Sequence, residues 1–478
     1  MNTKTLLCVS PSPDRIPADS NLVEIEDLCR QPALIVEHAA GADRLVLALH
    51  REDYSLAEIQ AQVRLLGLDP LGVQIWHFDR APGAELEITV NGLVERAEAF
   101  AGSKPEHAKA VFPKRLSRRA LLTMPKPEYT AVPSVDQEVC AAPDGCQACA
   151  EVCPQEAYQW VGGRIRFNKD ACEPCGRCVT ACPTGAITNP AVTSVQLQAQ
   201  VEAIIAASKG PVGIAFTCQR GRPRLPSIGW QAVEVPCTAM VPGTWLVAIL
   251  LLGAWATTAL PCHETGCPLS QDSLARDSVW FARSLLAQAG VDPNHIPMVP
   301  GPHYPVDPIK PTVLKDPFGL HGPVEVVLAL LASINRESTI AFDHPAAPMG
   351  RVDINPATCT SCMTCASTCP TEALSQDFQD GNLRLSFDAS LCTACGQCIS
   401  RCPEITRGAI SLSPGVDSRL LSVGSQVVHE SEVSLCESCG APVAPQATLD
   451  RLGALLGPDS EATMQYLSKR CLDCRGKW

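Results

Sequence analysis

The chain has 478 residues, among them 26 Cys, 41 Pro, 50 acidic and 38 basic residues, for a formal charge of −12. That acidic excess argues against nucleic acid or an anionic membrane as partner. Twenty-six cysteines are too many for structural thiols alone, so the chain is either a secreted disulfide protein or a binder of metal through thiolates.

Residues 1–13 hold one Lys and only a short apolar run around Leu6, Leu7 and Cys8, too short for a signal sequence. We therefore expect a cytoplasmic protein with reduced or metallated thiols. Arg44 to Leu49 reads as a buried strand and 55–66 as a helix, giving an α/β domain over 1–80. A linker over 81–132 follows. Within it Ser117-Arg118-Arg119-Ala120-Leu121-Leu122 looks like a twin-arginine export box, but it is internal and is read as basic linker. A cysteine-rich domain over 133–192 precedes a second α/β domain over 193–292, with a strand at 255–260 and a helix at 273–287. Residues 238–260 carry no charge and are long enough to span a membrane, yet Pro242, Gly243 and Gly253 interrupt them. They are expected to form a buried helix plus a strand. Nine prolines between 293 and 323 make 293–350 an extended linker. A second cysteine-rich domain over 351–415 contains a hairpin strand, Asn382–Phe387, behind an Asp380-Gly381 turn. A tail over 430–478 completes the chain.

The two halves repeat each other. Cys8 and Cys218 are 210 apart, Cys29 and Cys237 208, His50 and His263 213. Cys146, Cys149 and Cys153 map onto Cys362, Cys365 and Cys369 at 216, and Cys172, Cys175, Cys178 and Cys182 onto Cys392, Cys395, Cys398 and Cys402 at 220. Drifting offsets in preserved order indicate a tandem duplication of a two-module unit followed by a tail. The expected fold class is thus α+β multidomain.

Cys359-x2-Cys362-x2-Cys365-x3-Cys369-Pro370 and Cys392-x2-Cys395-x2-Cys398-x3-Cys402-Pro403 resemble the bacterial two-cluster ferredoxins. In that pattern the fourth thiolate of each run serves the other cluster. The resemblance implies one [4Fe-4S] cluster on Cys359, Cys362, Cys365 and Cys402, and one on Cys392, Cys395, Cys398 and Cys369. The earlier copy implies one on Cys140, Cys146, Cys149 and Cys182, and one on Cys172, Cys175, Cys178 and Cys153. Its first spacing is x5, through Ala-Ala-Pro-Asp-Gly, instead of x2.

In the middle module, Ala215-Phe-Thr-Cys218, Val233-Glu-Val-Pro-Cys237 and Leu260-Pro-Cys262-His-Glu-Thr-Gly-Cys267 resemble the delta subunit of methyl-viologen-reducing hydrogenase. The likeness covers roughly residues 205–300. It implies a [2Fe-2S] cluster on Cys218, Cys237, Cys262 and Cys267, passing electrons from a hydrogenase or formate dehydrogenase to a heterodisulfide-reductase-type partner. The family's opening Cys-x-x-Cys is replaced here by Cys218-Gln-Arg-Gly. Zinc or plain buried thiols are the alternatives. A straight helix between Cys237 and Cys262 would hold them about 36 Å apart, so a shared cluster excludes a membrane span.

The first module keeps Cys8 and Cys29, but Leu49 and Tyr54 stand where Cys262 and Cys267 stand in the second copy. A clusterless structural domain is expected, the alternative being a cluster completed by a partner. His50 and His263 are read as packing or surface residues. The tail pairs Cys436-x2-Cys439 with Cys471-x2-Cys474, a set suited to one structural Zn2+, with an iron-sulfur site or free thiols as alternatives.

Four [4Fe-4S] clusters, one [2Fe-2S] cluster and one zinc ion describe a conductor of single electrons. No dinucleotide loop, P-loop or nucleophile motif is found. The reading is an electron-transfer subunit of a cytoplasmic multi-subunit oxidoreductase, non-catalytic itself. The family resemblances imply a molybdopterin, hydrogenase or flavin catalytic subunit as partner. A redox-sensing or assembly factor that binds such an enzyme transiently is the alternative, and a self-sufficient reductase using the middle or tail site is a third.

Overall fold

The structure, a computed structural model, describes residues 2–9, 22–49, 55–77, 85–112, 126–219, 225, 229–261, 267, 269, 272–301, 308–334, 339–457 and 461–475. His50, Tyr54, Ser117 to Leu122, Cys262 and His263 lie outside them.

Thr3–Val9 runs at the centre of a parallel sheet, between Leu22–Glu26 and Arg44–Leu49, with Gln74–His77 beyond the latter. Side chains alternate across a strand, so one face collects Leu6, Cys8, Leu45, Leu47 and Leu49 against Ile59 and Val63 of helix Leu56–Leu65. The other face collects Leu7, Val46 and Ala48 against Leu93 and Ala97 of helix Leu86–Glu98. Burial on both faces explains the unbroken apolar reading of Arg44–Leu49.

The middle module repeats this layout. Gly213–Cys218 is central, with Trp230–Val235 and Ala256–Ala259 on either side, all parallel. Cys8 and Cys218 thus sit towards the same end of corresponding strands, and Cys29 and Cys237 follow the corresponding neighbours. Helix Leu86–Glu98 lies within the stretch expected as linker, yet it is core. It packs on helix Ser194–Ala207 so closely that a methyl at Gly92 would stand 2.8 Å from Ile204 Cγ1. Arg96 is buried there and donates to Gln200 Oε1 and to the carbonyls of Glu234 and Ala191. The linker expected over 293–350 likewise contains a helix, Gly322–Ser333, with Val326, Val327 and Leu330 buried.

The uncharged stretch after Cys237 forms helix Gly243–Leu252 and strand Ala256–Ala259, as expected. Ten residues span about 15 Å, half a bilayer. Gly243 lets this helix touch helix Asp272–Ala289, because a methyl there would meet Ser278 O at 2.4 Å. Among the described residues no helix is long and apolar enough to cross a membrane.

The chain divides into two compact units: Met1–Cys140, Cys149–Val161 and Ile165–Ser338 form one, and Ala141–Ala148, Gly162–Arg164 and Thr339–Trp478 the other. In the second, Gly350–Ile354 and Ala341–Asp343 flank Ile410–Asp417 in an antiparallel sheet. The hairpin Leu374–Gln379 and Asn382–Phe387 turns at Asp380 and Gly381, both at positive φ, as the Asp-Gly pair predicts. The tail joins this hairpin: Gln426–Leu435 pairs with Asn382–Phe387, and Pro442–Pro445 pairs with Gln426–Leu435.

Candidate metal centres

Each Cys-x2-Cys-x2-Cys loop must curl tightly enough to aim three sulfurs at one point. In three of the loops the residue after the second cysteine takes a left-handed conformation: Gly176 (φ 78°), Met363 (φ 57°) and Gly396 (φ 76°). Each opens a short helix, Arg177–Ala181, Thr364–Ser367 and Gln397–Ser400, that carries the third cysteine. The Cys-Pro-x-Glu strings match in the same way, with Glu156 (φ 49°) and Glu372 (φ 57°) both left-handed.

In the second unit Cys359, Cys362, Cys365 and Cys402 line one pocket, walled by Ile354, Leu385, Ala409 and Ile410. Cys365 is pushed up to about 12 by burial and then by Cys359, Cys362 and Cys402. Cys392 is pushed up to about 11 by burial, then by Cys395 and Cys369. Cys398 is pushed up to about 12 by burial, then by Cys392, Cys395, Cys369 and, from the other set, Cys365. Both crossed sets are therefore spatial groups, and they are neighbours. Backbone N–H groups point at sulfur as well, Ser361 N to Cys359 Sγ at 3.4 Å and Leu374 N to Cys369 Sγ at 3.5 Å.

In the first unit Cys172, Cys175, Cys178 and Cys153 form the corresponding group. Cys172 is pushed up to about 12 by burial, then by Cys175 and Cys153, and Cys178 is raised by burial and by Cys175, Cys172 and Cys153. Spacing did not reveal Tyr158, whose hydroxyl donates to Cys178 Sγ at 3.2 Å and whose ring stacks on Phe167 at 4.9 Å. Burial, then Cys178, raises its own pKa, so the hydroxyl keeps its proton and stays a donor. Of the remaining set, Cys140, Cys149 and Cys182 lie in the first unit and Cys146 in the loop Ala141–Ala148 of the second.

Buried thiols that raise one another's pKa repel as thiolates. A cationic core removes that penalty, and a coordinated thiol loses its proton outright. The donor sets, all sulfur with apolar walls and inward N–H groups, fit iron-sulfur ligation.

In the middle module the Cys218 thiol donates to Pro236 O at 3.5 Å, and a hydrogen bond with Cys218, then burial, raises Cys237. Cys267 packs on the buried group of Cys175, Cys237 and Leu269. The first module keeps the equivalent pair: Cys29 N donates to Cys8 Sγ at 3.4 Å, and the bond from the Cys29 thiol lowers Cys8 to about 7. Leu49, the residue aligned in sequence with Cys262, fills the core beside them.

In the tail, Cys436, Cys439, Cys471 and Cys474 hold their sulfurs within 4.8 Å of one another. Cys439 to Cys471 and Cys439 to Cys474 are both 3.6 Å. Backbone N–H groups, that of Cys471 first, lower Cys436 to about 6, whereas its neighbours push Cys474 up to about 12. Such spacing fits one tetrahedral ion. Four sulfurs bound to four different irons of a cubane stand farther apart.

Residues 351–403 and 142–187 each match the family described as 4Fe-4S dicluster domain. The chain is 43% identical over 56 residues to an uncharacterized ferredoxin of Methanocaldococcus jannaschii, a match covering 12% of this chain and 31% of that relative. It is 38% identical over 56 residues to a ferredoxin of Methanothermococcus thermolithotrophicus, covering 12% of this chain and 92% of that relative. The chain thus spans about a third of the first relative and nearly all of the second, and the matches leave most of its own length outside them. With its cysteine loops curled alike and its dicluster domains matched twice, the chain belongs to the ferredoxins and carries two iron-sulfur domains of the electron-transfer type.

Proposed function

We propose that this chain is the electron-transfer subunit of a multi-subunit oxidoreductase of the formate dehydrogenase, hydrogenase or heterodisulfide-reductase type. The observation that carries the proposal is the crossed grouping of cysteines, Cys369 with Cys392, Cys395 and Cys398, and Cys402 with Cys359, Cys362 and Cys365. On this reading the sixteen ferredoxin cysteines, Cys140, Cys146, Cys149 and Cys182 included, hold four [4Fe-4S] clusters. Cys218, Cys237, Cys262 and Cys267 hold a [2Fe-2S] cluster, and the tail holds zinc. Bound clusters supply one-electron carriage. The chain's own part is to gather the thiolates, exclude water with Ile354, Leu385 and Ile410, and tune sulfur through donors such as Tyr158. Thiolate ligation at this density calls for a reducing compartment, which supports a cytoplasmic site.

The chain divides by function on the same reading. The first α/β module, with Leu49 in its core, is structural, and the middle module is a point of electron exchange. A second reading, a redox-sensing or assembly factor, is favoured by one observation: Cys362 is exposed, and an exposed ligand makes a labile cluster. Anaerobic affinity capture from the native host, with subunits identified by mass spectrometry and iron counted, separates the two. A stoichiometric molybdopterin, hydrogenase or flavin subunit with about 18 iron per chain supports the subunit reading. Recovery of this protein alone with its clusters intact would refute it.

A further inference from the structure

The spacing of the cysteines says nothing about which cluster the middle site faces, but the packing does. Cys175, the second cysteine of its loop, shares a buried group with Cys237 and Leu269, and Cys267 and Ala239 pack against it. The three central residues are 8, 6 and 5% exposed. Two elements make the contact. Gly176 turns the loop into helix Arg177–Ala181, and the Thr238–Met240 turn following Cys237 lies on it. A methyl on Gly176 would stand 2.5 Å from Met240 Sδ, so the bare glycine is what admits the Met240 side chain.

The duplicate provides a comparison. Gly396 occupies the same place after Cys395, with the same left-handed backbone, and a methyl there would meet nothing within 4 Å. Among the described residues the close junction therefore belongs to the first ferredoxin module.

We propose that the middle site and the cluster site of Cys153, Cys172, Cys175 and Cys178 exchange electrons directly, with the Cys175–Cys237 contact as the crossing point. The middle module is then an internal step of the chain's own relay, joined to one identified ferredoxin cluster. The inference rests on the [2Fe-2S] reading above. The step moves one electron: one site is oxidised by one unit as the other is reduced by one. No bond forms or breaks and no proton moves. Tunnelling falls steeply with separation, so ligand cysteines of the two sites that share one buried, packed group favour this pair over any more distant one.

The test is EPR on the full-length protein, loaded anaerobically, with Mössbauer spectroscopy and iron counts on the same samples. With both sites reduced, the [2Fe-2S] signal should be split and relax fast. Poised so that only the [2Fe-2S] site is reduced, the same sample should lose both effects without any mutation. Cys172→Ala, which removes the neighbouring cluster, should abolish the splitting under full reduction, while Cys398→Ala, which removes a cluster in the other ferredoxin module, should keep it. A [2Fe-2S] signal present by Mössbauer but indifferent to redox poise and to Cys172→Ala overturns the direct pairing alone. Absence of any [2Fe-2S] component overturns the reading of the middle site, and the pairing with it.

Discussion

Consider the substitution Cys471→Ser in the tail. Two of the sulfur separations, Cys439 to Cys471 and Cys439 to Cys474, are 3.6 Å. A regular tetrahedron with that edge puts its centre about 2.2 Å from each sulfur, against about 2.3 Å for a zinc–thiolate bond. Those two edges match a zinc site and all four sulfurs lie within 4.8 Å of one another, so one ion fits the set. The knuckle is built for it: Gly440 turns at φ 72° and its N–H bonds to Cys436 O at 2.8 Å, while Cys436 N bonds to Ala441 O at 2.8 Å. Removing one ligand should eliminate one zinc per chain and leave iron unchanged. Strand Gln426–Leu435 is held by its pairing with Asn382–Phe387 and should stay protected. Helices Gln446–Leu456 and Glu461–Lys469 should exchange their amides faster, because a structural zinc site contributes folding energy directly. Elemental analysis, X-ray absorption at the zinc edge and hydrogen exchange measure the three effects. Loss of iron in place of zinc from Cys471→Ser would refute the argument.

Three further outcomes are expected. Cys369→Ala and Cys398→Ala should each cost about four iron and together still about four, because they serve one cluster; Cys369→Ala with Cys365→Ala should cost about eight, as counted by iron analysis. Gly243→Ala forces a methyl against Ser278 O and should cost about 1–3 kcal/mol, less up to about 1 kcal/mol of helix propensity, whereas Gly453→Ala in the open face of helix Gln446–Leu456 should stabilise by up to about 1 kcal/mol; thermal unfolding of the loaded protein orders the three. His107 accepts from Lys104 N at 3.0 Å and bonds Ser134 Oγ at 2.6 Å, and burial first, then the charge of Lys104, holds its pKa below the usual value. Below about pH 6.5 the unfolded chain takes up a proton that the folded one resists, so stability falls as pH drops through that range. Amide exchange at Ala108–Val111 should accelerate accordingly, and His107→Asn should flatten the dependence; an unchanged profile in that variant would refute it.

What could be read without the fold is what is local. A loop that wraps a cluster must place its donors within a few residues, so spacing alone names Cys359, Cys362 and Cys365, and the Asp380-Gly381 turn names its hairpin. The crossing of Cys369 and Cys402 was also legible, through the likeness to known two-cluster ferredoxins. Arg44–Leu49 was legible because both its faces are covered. The same burial hid helix Leu86–Glu98: packed between two sheets, it buries Ile88, Thr89, Val90, Gly92, Leu93, Arg96 and Ala97 and shows no single apolar stripe. Tertiary structure alone decided the rest. Cys175 and Cys237 meet across 62 positions through a glycine and a methionine whose roles no spacing records. The tail extends the ferredoxin hairpin through backbone pairing, which leaves little mark on side-chain pattern. The gathering of four tail sulfurs within 4.8 Å of one another is set by packing of the whole knuckle and not by the order of its residues.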